Sequence, residues 1–205
     1  MTGVSDLFSR APIGLEAKEW GRRYADDLGH AWAECPRGDW ALWIAAIMEL
    51  DPRVVTQAAL DCARFALSLL PEADDEERLR PVLTLADRWV AGEVEAEALR
   101  DAAREVLAIY NEGKGGAGTE HLLAGYATSA VAAAVLVPTY RSTFGLAAAA
   151  AAAGLAAAQV AGPHDETALL DAHECCARLV RKRIPFEALV GTRGFSIYAR
   201  SASPR

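Results

Sequence analysis

Histidine is scarce in this chain, four residues in 205, and methionine scarcer, at two. The four cysteines, Cys35, Cys62, Cys175 and Cys176, form no Cys-x-x-Cys pair, so neither a zinc ribbon nor a dithiol redox motif is written here. Basic residues are outnumbered 21 to 28, giving a net charge of −7. A general nucleic-acid binder needs a basic surplus, so that class is set aside. No stretch alternates β-branched with polar residues, which argues against strands. Residues 1–12 lack the basic start and long apolar run of a secretory leader. With unpaired cysteines, this makes a cytoplasmic protein with reduced thiols the expectation.

What is present is alanine, about a fifth of the chain, within a composition 52% hydrophobic and 24% charged. That balance is globular rather than disordered, and alanine is the strongest helix former. Apolar residues recur at spacings of three and four. Ala17, Trp20, Tyr24, Leu28 and Ala31 stripe a helix over 14–34. Asp39 is placed to cap a second helix over 40–50, apolar all round and therefore buried on every side. Asp51-Pro52 is an N-cap followed by an N1 proline. The helix it starts runs to Leu70, with one polar stripe of Arg53, Gln57, Asp61, Arg64 and Ser68. An acidic loop spans Pro71 to Glu77, and further helices cover 78–91, with Pro81 near its first turn, and 94–111. Gly92 sits where a left-handed C′ residue ends the first of these.

The glycine-rich run 113–118 reads as a flexible link. Beyond it, helices are expected from Thr119 to Val137, from Ser142 to Ala161, and from the cap Asp165 to Ile184. Cys62-Ala63-Arg64 lies nine residues before Pro71, and Cys176-Ala177-Arg178 nine before Pro185, an echo that a duplicated helical unit would leave. The organisation expected is an N-terminal extension (1–13), a helical half (14–112), a link (113–118), an alanine-rich half (119–190) and a tail (191–205) that Phe195 and Tyr198 could dock. The fold class is all-α, a multi-helix bundle of seven or eight helices. Residues 144–162 and 122–137 are uncharged and long enough to span a bilayer. Alanine gives little drive into lipid, so a tightly packed hairpin away from membranes is expected instead.

Chemistry-bearing patterns are thin. His173 and Cys176 are three apart on one helix face, but no further paired ligands accompany them, so a hydrogen-bonded core histidine is the better account. Glu-x-x-His pairs of a di-iron bundle are missing. No Gly-x-Ser-x-Gly elbow occurs, and the glycines around Lys114 do not follow the P-loop order. This assigns no catalytic residue, metal or cofactor. Two surfaces remain. Asp61, Glu72, Asp74, Asp75, Glu76 and Glu77 form an acidic set able to steer a basic partner. Trp40, Trp43 and Trp89 are the tryptophans that would line a ligand cleft if they are not simply core. Arg181-Lys182-Arg183 suits the negative end of a helix dipole.

At Gly38-Asp39-Trp40-Ala41-Leu42-Trp43, with Cys62-Ala63-Arg64, Ala86 to Trp89 and Gly92-Glu93, the chain resembles a group of helical, alanine-rich phage and bacterial proteins. Some of these are immunity proteins of the Imm-5-like type. The resemblance covers roughly 31–110 and extends loosely to the final Cys-Ala-Arg helix. It implies toxin neutralisation. Members carry His and Tyr through the alanine-rich region, whereas this chain has Tyr126 and Tyr140 there and almost no His, so no site residue is carried over. The expected function is a non-enzymatic protein binder, an immunity protein acting on a toxin through its acidic face. The alternatives are a small-molecule or cofactor binder with a Trp-lined cleft, or an assembly protein packing as a homo-oligomer through its alanine-rich helices.

Overall fold

The computed structural model describes residues 4–9, 14–24, 27–70, 73–113, 119–161 and 165–191. Among them are eleven α-helical segments and no strand. They are α1 (Val4–Ser9), α2 (Leu15–Tyr24), α3 (Leu28–Glu34), α4 (Gly38–Ile47), α5 (Pro52–Ser68) and α6 (Ala73–Val90). After these come α7 (Ala96–Gly113), α8 (Thr119–Leu136), a 3-10 turn (Val137–Thr139), α9 (Thr143–Gln159), α10 (Glu166–Arg183) and α11 (Phe186–Val190). The chain is an all-α multi-helix bundle. Each of the eight expected helices has its counterpart, and the higher count has local causes. Residues 1–13, read as an extension, contain α1, whose Phe8 is fully buried. The helix expected over 14–34 is two helices, because the Asp27 carboxylate accepts from the His30 N–H and starts α3 afresh. A short α11 follows Pro185. The tail residues Phe195 and Tyr198 lie outside the described residues.

Two starts differ from expectation. α6 begins at Ala73, so most of the supposed acidic loop is its first turn, where the helix dipole favours negative charge. Pro81 therefore lies in the helix interior. Its missing N–H leaves the Glu77 carbonyl without its helical donor, and both residues are exposed, so water can satisfy that group. Asp39 does not cap α4. The helix starts one residue before it, Arg37 holds the N-cap position without a side-chain capping bond, and Asp39 turns inward.

Other signals act as read. Asp51 accepts from the Arg53 N–H with Pro52 at N1, Asp165 accepts from Thr167 and Ala168, and Gly92 ends α6 at φ 81°. The polar stripe of α5 lies on its partly exposed edge. Between α4 and α5, Glu49 takes φ 59°, a left-handed conformation that glycine adopts far more readily.

One continuous core joins residues from both sides of the 113–118 link. α4 packs most extensively on α9, α9 on α8, and α8 on α7, while α5 lies against α8, α9 and α10. Small residues permit this closeness. α9 buries Ala147, Ala150, Ala153 and Ala157 completely. The two Cys-Ala-Arg triplets meet: Cys62 Sγ donates to the Cys176 carbonyl at 3.8 Å where α5 crosses α10. Their arginines differ, since Arg64 binds Asp87 of α6 and Arg178 is exposed.

Candidate functional site

A buried polar cluster lies at the start of α4. Two glycines create it. A Cβ on Gly154 of α9 would stand 2.8 Å from the Asp39 nitrogen, and one on Gly38 would stand 2.4 Å from Cys176 Cβ of α10. The first turn of α4 is thus clamped between two backbones, and Asp39 is carried inside at 1% exposure. Its charge is met by Arg37, whose Nε and Nη2 each donate to one carboxylate oxygen at 3.0 Å. Bidentate pairing of this kind is the strongest form of ion pair. The guanidinium also lies 4.9 Å over the Trp40 ring, and its Nη1 reaches Glu16 of α2 at 3.3 Å.

His173 of α10 completes the knot. It is buried at 2% exposure, as expected, but its Nδ1 has no hydrogen bond and stands 3.7 Å from Asp39 Oδ1. Burial lowers its pKa, an effect the Asp39 charge opposes. Cys35 donates its thiol to the Arg37 carbonyl at 3.4 Å, while its own carbonyl accepts from Arg181. Burial pushes the Cys35 thiol up to about 12, and the adjacent Cys176 thiol together with burial raises Cys62 as well. Such thiols are inert, because the thiolate is the reactive species. Both Asp39 oxygens are occupied, and Asp39 and His173 are buried while Arg37 leads out to the exposed Glu16. Its work is to fasten α2, α4 and α10 together. Spacing alone gave no sign of it, because an i, i+2 pair is no helix-face pattern. The available signal was an acid immediately before the apolar run beginning at Trp40, together with a histidine on the apolar stripe of α10.

The acidic set is divided by the structure. Asp61 is half-buried and accepts from Arg183 Nε at 2.8 Å, with Arg64 at 3.9 Å on its other side. Arg64 in turn donates to both Asp87 oxygens at 2.7 Å, so a four-member charge chain ties α10, α5 and α6. Asp74, Asp75, Glu76 and Glu77 belong to the first turn of α6, and Glu77 is exposed. Glu72 lies outside the described residues.

The tryptophans are distributed through the packing. Trp43 is wholly buried, donates its indole N–H to the Leu7 carbonyl at 2.8 Å, and takes Phe144 edge-on. Trp40 joins Phe8 and Trp20 in an aromatic cluster that seats α1 and α2. Trp89 is half-buried on α6, 5.9 Å beneath the Arg53 guanidinium. A separate open groove of about 320 Å³ runs between α5 and α6, lined by Arg64, Ser68, Arg80, Thr84 and Asp87 over Leu67 and Leu83. Among the described residues, no three His, Cys, Asp or Glu side chains gather as a metal site would require. No protein-family model, no curated protein and no solved structure matches this chain.

Proposed function

We propose that this chain acts by binding a protein partner, as an immunity-type protein that neutralises a toxin through acid presented at the start of α6. The observation that supports this reading is that α6 opens with Asp74, Asp75, Glu76 and Glu77 on one turn, directly after Glu72, in a chain of net charge −7. Negative charge is favoured at a helix N-terminus, and an acidic concentration of this kind accelerates encounter with a basic partner. Asp61 is already neutralised by Arg183, so the docking charge rests on residues 72–77. The free thiols of Cys35, Cys62, Cys175 and Cys176 suit a reducing compartment, and the cytoplasm belongs to the same proposal.

The test compares the native chain with a variant in which Glu72, Asp74, Asp75, Glu76 and Glu77 become their amides. Both are immobilised in lysate of the native host. The reading expects a basic protein that the native chain retains at low salt, the variant loses, and added salt elutes. Identical retention by both chains refutes it. The open groove of about 320 Å³ between α5 and α6 favours a second reading, a small molecule held there. Native mass spectrometry of the purified chain separates the two, because a bound small molecule adds a discrete mass.

A further inference from the structure

We propose that the outer face of the α8–α9 hairpin is the interface of a two-fold homodimer of this chain. From Leu122 to Ala161 the sequence carries a single charge, Arg141, whereas the whole chain carries 21 basic and 28 acidic residues. The hairpin is nevertheless not enclosed. Only 44% of the stretch Leu122–Thr139 is buried. On α9, Phe144 and Leu155 are 49% and 37% exposed, and Ala148 and Ala152 lie between them on the same stripe. On α8, Leu122, Tyr126 and Ala133 are likewise uncovered or partly so. α5 packs against both helices, and the proposed interface joins the two stripes on the other side of the hairpin. Contiguous apolar surface of this kind marks an interaction site.

Charge and area select a second copy as the occupant. Two chains of −7 repel one another, and this is a face they can bring together without opposing carboxylates. The α9 stripe has large residues at its ends and alanines at its centre. A two-fold axis between Ala148 and Ala152 sets Phe144 of one copy against Leu155 of the other, as an isologous contact requires. Helices of 18 and 17 residues side by side offer roughly 26 Å by 20 Å. Two copies together then bury about 1,000 Å², the size at which specific association begins. A lipid surface fits less well. Membrane-binding helices carry flanking lysine and arginine, and this hairpin has only Arg141.

Sedimentation velocity from about 1 to 200 μM reads the outcome directly. The native chain is expected to pass from monomer to dimer within this range. Phe144→Glu and Leu155→Glu are each expected to raise the dissociation constant about tenfold or more, because each buries an unpaired charge at the contact. Both must keep the native circular dichroism spectrum. Leu155→Glu serves if loss of the Trp43 contact unfolds the Phe144 variant. Leu15→Glu, at an exposed site on α2, is expected to leave the dimer intact. A native chain that stays monomeric at 200 μM overturns the proposal. So does a dimer indifferent to both hairpin substitutions, or a native monomer that co-sediments with phosphatidylcholine vesicles.

Discussion

Replacing Gly154 by alanine tests whether two missing Cβ atoms set the closest approach in the bundle. The new carbon would lie 2.8 Å from the Asp39 nitrogen and 3.0 Å from both Asp39 Cα and the Gly38 carbonyl carbon. All three are backbone atoms, so no side chain can rotate aside. α4 would have to retreat by about half an ångström to restore ordinary contact. Behind it stands α10, which a Cβ on Gly38 would meet at 2.4 Å, so the retreat is blocked. Overpacking of a filled core costs about 1–3 kcal/mol, and the rigidity on both sides places this case in the upper half. Against it, alanine gains about 1 kcal/mol over glycine within a helix. The balance is a loss of about 1–2 kcal/mol. For a chain of this size that lowers Tm by about 3–8 °C, read by circular dichroism or calorimetry. Gly145→Ala supplies the comparison. Its new Cβ meets the exposed Tyr140 ring at 2.8 Å and the Ser142 hydroxyl at 3.0 Å, and the ring can swing into water. That variant is expected to melt at or slightly above the native temperature. A Gly154 variant as stable as the native chain would refute the clamp.

The same knot yields further outcomes. Asp39→Ala leaves the Arg37 guanidinium, 21% exposed, without its bidentate partner, and is expected to cost about 2–4 kcal/mol in a urea titration. His173 has its pKa lowered in the folded chain, so the native state binds its proton less readily than the unfolded state does. Its contribution therefore erodes as pH falls through the ordinary histidine value, about 6.5, and levels off below the depressed folded value. Arg37, Asp39 and Glu16 are the charges facing it, and the loss should be smaller in His173→Leu when Tm is compared at pH 8 and pH 5.5. Glu49→Gly relieves a left-handed φ of 59° and is expected to raise stability by about 0.5–1 kcal/mol; an unchanged urea midpoint would show that the turn carries no strain.

The helices were legible because each rests on a local rule. Periodicity placed α5, α8, α9 and α10, and the caps Asp51 and Asp165 lie where a short polar side chain precedes an apolar run. The errors arose where a local rule met a partner remote in sequence. Asp39 has the chemistry of a cap, but Arg37 and the contact with Gly154, more than a hundred residues away, draw it inward. In an alanine-rich chain the pattern of small residues is degenerate. Nothing in Ala-Ala-Gly-Leu-Ala distinguishes the glycine that touches another backbone from alanines that merely fill space. The acidic residues present the converse case. Asp61 and Glu77 look alike as sequence, yet Asp61 falls on an α5 edge where Arg64 of its own helix and Arg183 of α10 meet it, while Glu77 is exposed near the start of α6. Composition supplies the charge, but the crossing of helices decides which of it stays exposed.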